Sequence, residues 1–360
     1  MKLSNRLTFF KFCILICLPA LFIFNACSKS SSPPPPVVDK TGLQKTSDSA
    51  NWYYTLTVEG TKPGDYTVGA KATLKTAIDA ANVILNSATS TQAETTAASA
   101  NLQSAINTYK GTYISEIAAV NLIAYWKFNG NANDSSGNGH SGTVMQGHAF
   151  FGAGTPSLIA DRFGLANRAY RFDKGGNIEV PYSTALNPQQ MSISLWANQD
   201  TVGRKINPAN AYMISLNRWN GWKFQTQPTL PFFTVHAIEQ GPPVDTTYYD
   251  RDDAGVALVP GTWYHLVVTF KPGEEDFYIN GSLVKSWTNT PGTPIAMAAP
   301  INITIGSDLP TSKYLTTDPT GNFLVDYGGF WTGSLDDVMF YNIPLTAPQV
   351  QSIYNNQKTL

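Results

Sequence analysis

The chain has 360 residues, which predicts two or three domains at about 150 residues per domain. Charged residues make up only 14% of the sequence and the net charge is −1, whereas globular proteins usually have ~25% charged residues. No Lys/Arg cluster follows the N-terminal segment, so the chain lacks the basic face that nucleic acid requires as a partner. The surface, rich in Asn, Thr, Ser, Gly and Tyr, suits an extracellular protein with neutral ligands such as sugars.

Residues 1–26 predict a secretory signal peptide. Three basic residues precede the apolar run CILICLPALFIF, which gives a basic n-region and a short h-region. The apolar run is too short to predict a membrane span. It ends in FNAC, which resembles the lipobox of bacterial lipoproteins, with Phe24 and Asn25 where Leu and a small residue are usual. The resemblance implies that Cys27 is lipidated and becomes the new N-terminus, so that the protein meets the membrane through this lipid.

The segment after Cys27 supports this interpretation over a leftover cysteine. Cys13 and Cys17 lie in the removed segment, so the mature chain has no disulfide. Residues 27–38, with SKSSSPPPPVV, are predicted to be a flexible tether. By analogy with bacterial lipoproteins, Ser28 directs the protein to the outer membrane of a Gram-negative bacterium, and the sequence leaves open the periplasmic face or the cell surface.

Residues 39–115 predict a small helical module. ATLKTAIDAANVILNSA has apolar residues at helical spacing, and an earlier helix is expected near 41–57. Thr91 and Glu94 form a predicted capping box for a helix over 94–110. The pattern resembles the FIVAR-like modules of bacterial surface proteins, which implies a spacer or a docking site for a protein partner.

Residues 118–360 predict a mainly β fold, an antiparallel sandwich or barrel. Alternating strand signals recur without intervening helices. Asn280-Gly281 predicts a tight hairpin, and TAPQVQSIY predicts one closing helix capped by Thr346. The predicted strands are LIAYWKF, AYRFD, NIEVP, SISLWA, AYMISL, WKFQT, FFTVHAI, YHLVVTF, DFYING, LVKSW, INITIG and SLDDVMFY.

The order of these segments resembles the concanavalin A-like LamG family, relatives of the pentraxins, over residues 120–358. The segments that carry the resemblance are AYWKFNGNANDSSGNGHSG, AYRFDKGGNIEVP, MSISLWA, WYHLVVTF, FYINGSLV, ITIGSD and GSLDDVMFYNIPLTAPQVQSIY. The resemblance implies a concanavalin A-like jelly-roll sandwich. It leaves the ligand open, because one sandwich fold hosts many functions.

Asp134 lies in a polar turn after the first predicted strand and raises the question of a cation. In LamG-like sandwiches the first and last strands lie close together, so Asp134 could meet Asp336 or Asp337 and hold a structural Ca²⁺, which binds oxygen ligands. Strand alternation places Asp336 and Asp337 on opposite faces, with Asp336 on the side of Val338 and Phe340. The alternative is that Asp134 caps an Asx-turn and that the aspartates accept backbone N–H bonds.

Aromatic residues in predicted loops are candidates for a glycan platform, because sugar C–H faces stack on aromatic rings while Asn and Asp bind the hydroxyls. The long segment 308–332 is expected to fold over the same rim. The alternative is a role in the core, which we expect for Trp126, Trp196 and Trp263. The platform candidates are Trp219, Trp222, Tyr248, Tyr249 and Trp331.

We expect a protein without catalytic activity. Laminarinase-type hydrolases of this fold carry E-x-D-x-x-E on one strand, and the sequence contains no such string. Two hypotheses remain: a lectin-like, lipid-anchored carbohydrate-binding protein of the cell envelope, or a protein-binding adhesin or assembly component. Aromatic rings around a polar rim would favour the first, and a broad exposed apolar patch would favour the second.

Overall fold

A computed structural model describes residues 37–200, 210–239, 244–253 and 255–359. The predicted signal peptide, Cys27 and most of the predicted tether lie outside these residues. Among the helices of these four ranges, none combines the length and the apolar character that crossing a bilayer requires.

The N-terminal described residues form three helices: α1 Thr41–Leu56, α2 Ala70–Asn86 and α3 Gln92–Lys110. Two short parallel strands, β1 Glu59–Gly60 and β2 Tyr66–Thr67, lie between α1 and α2. The predicted capping box is confirmed, because the Glu94 backbone N–H donates to Thr91 Oγ1 (3.2 Å) and the Thr91 N–H donates to Glu94 Oε2 (2.8 Å). The three helices bury an apolar cluster of their own that includes Leu74 and Leu102.

The rest of the described chain forms two antiparallel sheets and a fourth helix, α4 Ala347–Gln357. In chain order the strands are β3 Leu122–Trp126, β4 Thr143–Met145, β5 Ser157–Ile159, β6 Ala169–Phe172, β7 Asn177–Val180, β8 Met191–Gln199, β9 Ala211–Leu216, β10 Trp222–Thr226, β11 Pro231–Glu239, β12 Asp245–Asp252, β13 Trp263–Lys271, β14 Glu274–Ile279, β15 Ser282–Trp287, β16 Thr293–Pro294, β17 Ile303–Ile305 and β18 Gly333–Tyr341.

The front sheet has the order β12-β11-β10-β9-β17-β7-β4, with β16 paired to β11. The back sheet has the order β15-β14-β13-β8-β18-β6-β5, with β3 paired to β18. The inward side chains of both sheets form one apolar core, so the predicted mainly β sandwich is confirmed. Trp126 and Trp196 are buried as predicted, whereas Trp263 is only half-buried.

All twelve predicted strands and the closing helix occur in the structure, and Thr346 caps α4 in a capping box. The Asn280-Gly281 hairpin is also confirmed, with both residues at positive φ between β14 and β15. The prediction was wrong for DTTYYDRDD, which was expected to be a loop and forms the edge strand β12. Its neighbour β11 supplies an eight-residue antiparallel register, from Phe232↔Asp252 to Glu239↔Asp245, that offsets the poor strand propensity of its acids.

Each sheet has an outer cover. The helix α4 packs on the back sheet, where Val350 contacts an apolar cluster and Gln357 Oε1 accepts from Trp196 Nε1 (2.9 Å). Residues 306–332, the covering loop, lie over the outer side of β7, β17 and β9 in the front sheet. Ser215 Oγ on β9 donates to the Asp308 carbonyl (3.1 Å), and Asn177 Nδ2 on β7 donates to Thr311 Oγ1 (2.9 Å). The outer side of β10, β11 and β12 lies beside this loop.

Candidate ligand-binding face

The outward side chains of β10, β11 and β12 form what we call the open face. Strand alternation directs Trp222 and Phe224 of β10 into the core, so Lys223 and Gln225 point outward. The antiparallel register then aligns rows of outward residues across the three strands. These rows are Lys223 with Thr234 and Asp250, Gln225 with Phe232 and Asp252, and the pair His236 and Tyr248.

The floor of the open face is polar. Lys223 Nζ donates to Gln225 Oε1 (2.9 Å), and Gln225 Nε2 donates to Asn210 Oδ1 (3.0 Å). Thr234 Oγ1 donates to Asp250 Oδ1 (2.5 Å), and the Asp250 side chain is exposed. Burial lowers the pKa of Lys223 to about 8. The negative charge of the nearby Asp250 offsets part of this lowering. The floor therefore groups an ammonium, amides and a carboxylate in one patch, in which Asp250 is exposed, Lys223 is 7% exposed, and Gln225 and Thr234 are completely buried.

Two pairs of rings border this floor at the end where β10 begins. Tyr248, 45% exposed, stacks on His236 with ring centroids 4.2 Å apart and an interplanar angle of 17°. Trp219, half-buried, meets the exposed Tyr327 of the covering loop edge to face at 6.2 Å. The Asn220 carbonyl lies 3.4 Å from His236 Nδ1 and so connects the two pairs.

A buried ion pair positions the Trp219 side of this border. Arg218 and Asp308 are both completely buried, and Arg218 Nε donates to Asp308 Oδ2 (2.6 Å). The same guanidinium donates to the carbonyls of Gly321 (3.1 Å) and Leu324 (3.2 Å), and it lies 4.8 Å from the Trp219 ring centroid. Since these contacts join the segment that follows β9 to the covering loop, they hold Tyr327 beside Trp219. This arrangement agrees with the prediction that the loop folds over the same rim as the platform candidates.

Two of the five predicted platform residues, Trp219 and Tyr248, border the open face. Trp222 and Trp331 are completely buried, so their rings cannot stack on a ligand and the prediction was wrong for both. Tyr249 points inward from β12, is 5% exposed and donates its hydroxyl to Glu239 Oε1 (2.6 Å). Its assignment to a loop platform was wrong because alternate residues of an edge strand face opposite sides.

Asp134 accepts four hydrogen bonds, three from its own turn and one from β3. Its Oδ1 accepts from the backbone N–H groups of Tyr125 (2.9 Å) and Ser136 (2.8 Å). Its Oδ2 accepts from Ser136 Oγ (2.8 Å) and the His140 N–H (3.0 Å). Burial raises the pKa of Asp134, but these donors outweigh burial and hold the pKa below its usual range. This is the Asx-turn alternative, extended to tie the turn to β3.

Asp336 and Asp337 share one arginine. Arg162 donates to Asp336 Oδ2 (2.5 Å) and to Asp337 Oδ2 (2.8 Å), and Tyr125 Oη donates to Asp337 Oδ1 (2.6 Å). The prediction of opposite faces was wrong, because β18 has a bulge between Asp336 and Met339 and Asp337 has φ 48°. The bulge also shifts Asp336 away from the core side occupied by Val338.

The three aspartates do not fit the predicted calcium site. A carboxylate offers about four lone-pair positions, and Asp134 uses its oxygens for four donors. The guanidinium of Arg162 occupies the position between Asp336 and Asp337 where a cation would have to bind. Across the four described ranges, no group of three or more His, Cys, Asp or Glu side chains is arranged to hold a metal ion.

Sequence reasoning missed Lys223, Gln225, Phe232 and His236. The sequence did contain a signal for these residues. Apolar and polar residues alternate in WKFQT and FFTVHAI, and every second side chain of a strand points away from the core. What the sequence did not show is that β12 extends the sheet on this side, and that the covering loop lies beside this half.

A family model described as the concanavalin A-like lectin/glucanases superfamily matches residues 172–351. Among solved structures, domain 4 of the extracellular arabinanase AbnA from Geobacillus stearothermophilus, in complex with arabinotriose, is 21% identical with a TM-score of 0.43, covering 65% of this chain and 98% of that one. The binding domain of Paraclostridial Mosquitocidal Protein 1 is 16% identical with a TM-score of 0.46, covering 66% and 52%. The ligand-binding domain of botulinum neurotoxin serotype D, in complex with N-acetylneuraminic acid, is 15% identical with a TM-score of 0.43, covering 66% and 52%.

The chain therefore spans about half the length of the toxin domains it matches. At these identities the solved structures show a likeness of fold alone. A search of curated proteins found no match.

Proposed function

The chain belongs to the concanavalin A-like lectin/glucanases superfamily, and from this premise we propose that the open face binds a carbohydrate. The observation that carries the proposal is the pairing of accessible rings with a polar floor. Tyr248 on His236, and Trp219 with Tyr327, present aromatic surface at one border. The polar groups of Lys223 and its neighbours lie on the same side of the sheet.

The chemistry of this arrangement suits a sugar ring. The C–H face of a pyranose packs on an aromatic ring, and its hydroxyl groups need both donors and acceptors around the ring edge. The exposed Asp250 carboxylate has one oxygen committed to Thr234, so its second oxygen is available as an acceptor. Lys223, whose ammonium gives one of its three N–H groups to Gln225, supplies donors.

We propose binding without catalysis. Retaining glycosidases place two carboxyl groups about 5–5.5 Å apart across the scissile bond. The sequence has no E-x-D-x-x-E string that would set such a pair on one strand.

We also propose that lipid on Cys27 holds the protein at the outer membrane of a Gram-negative bacterium, with residues 27–38 as the tether. The basic n-region, the apolar run and the Ser/Pro-rich segment support this. Growth with a clickable palmitate should label the wild type and leave Cys27→Ser unlabelled. Equal labelling of both would overturn the anchor and leave the sugar-binding proposal untouched.

The binding test is a glycan array probed with the full chain in a mild detergent, followed by titration calorimetry on the best glycan. Trp219→Ala and Tyr248→Ala should each weaken binding by about 3- to 10-fold, since one ring contact is worth about 0.5–1.5 kcal/mol beyond area burial. Trp52→Ala and Tyr113→Ala are matched controls, because both rings are exposed (53% and 47%) but lie in the helical module. They should bind as the wild type does.

Failure of the folded chain to bind any glycan would contradict the proposal and favour the alternative, a protein partner docked by the sandwich or by the helical module. Equal losses in the site variants and the control variants would show a general effect on stability and would also contradict it.

A further inference from the structure

Lys223 is a buried cation with unused donors. Only 7% of the residue is exposed, and its ammonium makes one hydrogen bond, to the neutral Gln225 amide. An ammonium carries three donors and no acceptor. Within the described ranges it forms no ion pair. Two of its three N–H groups thus have no acceptor from these ranges.

The carboxylates near Lys223, Asp250 and Asp308, form no ion pair with its ammonium among the described residues. Asp250 turns Oδ1 toward the hydroxyl of Thr234 (2.5 Å), and Asp308 pairs with Arg218 (2.6 Å). In place of a carboxylate, Lys223 Nζ has two rings, with the centroids of Tyr212 and Phe232 each 5.3 Å away. Ring faces attract a cation but do not replace an ion pair.

Burying an unpaired ammonium is unfavourable, because it removes water from a charge without supplying a counter-charge. A carboxylate on the ligand would supply both the counter-charge and acceptors for the free N–H groups. Phe232 is only half-buried, so it forms one accessible wall next to the ammonium. A neutral hydroxyl could accept the N–H bonds but would leave the charge uncompensated.

We propose that the sugar bound at the open face bears a carboxylate, and that Lys223 is the residue that selects it. This inference rests on the proposed function and narrows it to acidic glycans. A uronate and a sialate share the recognised chemistry, a carboxylate on a sugar ring. The hydroxyl groups of the same ring then face Asp250 and the border rings.

The test compares pairs of probes that differ in the carboxylate. An array carrying neutral, uronate and sialate glycans is probed first. Oligogalacturonate is then titrated against its fully methyl-esterified form, and sialyllactose against the methyl ester of its carboxylate. The proteins are the full chain, Lys223→Met, which keeps the length of the side chain and removes the charge, and Lys223→Arg, which keeps the charge. Lys127→Met is the control, since Lys127 is exposed on the segment that follows β3 of the back sheet.

The expected result is that one acidic probe binds more tightly than its neutral partner. Lys223→Met should reduce binding of the acidic probe by roughly 10- to 100-fold, the range of a hydrogen bond to a charged group. Lys223→Arg should keep the acidic preference, and Lys127→Met should match the wild type. The pair of probes that responds identifies the source of the carboxylate.

Equal binding of both members of each pair, or array hits that are all neutral, would overturn this inference and leave the sugar-binding proposal standing. An acidic preference that survives in Lys223→Met would also overturn it. Binding to no glycan at all would refute the proposed function and this inference together. A melting temperature of Lys223→Met that is no lower than that of the wild type would confirm that a loss of binding does not come from unfolding.

Discussion

Asp308→Asn removes one charge from the most deeply buried ion pair of the sandwich while keeping the side-chain shape. Arg218 would remain, completely buried, with only the carbonyls of Gly321 and Leu324 as strong acceptors. Removing one partner of a buried pair is destabilising by about 3–5 kcal/mol. We expect a value near the lower end, about 3 kcal/mol, because the Asn oxygen can still accept from Arg218 or Tyr314, which now donates to Asp308.

The assay is thermal unfolding followed by tryptophan fluorescence. For a domain of 150–250 residues, 1 kcal/mol shifts the melting temperature by about 2–4 °C, so the variant should melt about 6–12 °C lower. Glu274→Gln is the control, because the Lys271–Glu274 pair is 41% and 38% exposed and should contribute little. Arg218→Met/Asp308→Leu should recover part of the loss, since the double change leaves no uncompensated charge.

A decrease of less than about 2 °C in the melting temperature of Asp308→Asn, well short of the expected shift, would refute the view that this pair holds the covering loop on the sheet. A fall of the expected size with unchanged glycan affinity would separate stability from function, and it would show that the position of Tyr327 beside Trp219 does not affect binding.

Three further predictions concern charges. Burial puts the pKa of Lys223 near 8, below its ordinary ~10.4. Between these two pH values the unfolded state binds more protons than the folded state, so the free energy of unfolding rises with pH. The titratable or charged groups near Lys223 are Asp250, Asp308, Arg218 and Tyr212. Lys223→Met should melt higher than the wild type at pH 7 and lose this rise, and a parallel pH profile of the two melting temperatures would contradict the prediction. The pKa of Asp134 is lowered in the folded state. Its contribution to stability is therefore complete above the unfolded pKa of about 4 and is lost as pH falls through the folded pKa. Asp134→Asn should melt at a lower temperature than the wild type at pH 7, and the two melting temperatures should converge in acid. EDTA should leave the melting temperature of the wild type unchanged, because Asp134, Asp336 and Asp337 accept hydrogen bonds from protein donors. A lower melting temperature in EDTA would show that the protein binds a metal ion that these contacts do not predict.

Local patterns were enough to predict most of the fold. Alternating segments predicted twelve strands, Asn280-Gly281 predicted a hairpin, and Thr91 and Thr346 predicted helix starts, because each signal depends on the backbone preferences of a few adjacent residues. The error at Asp245–Asp252 has the same origin. A polar, acidic segment becomes a strand only when a neighbour such as β11 offers its hydrogen bonds, and the preferences of the segment's own residues do not reveal that neighbour.

The candidate site depended on contacts between residues far apart in sequence. The sequence determined that aromatic residues were abundant and that Asp134 belonged to a polar turn. Only the tertiary structure decided that Trp222 and Trp331 are core residues, that a bulge at Asp337 turns two carboxylates toward Arg162, and that Lys223 lies buried beside Phe232 with no ion-pair partner among the described residues. Burial and ion pairing are set by which strands become neighbours, and no short window of sequence contains that information.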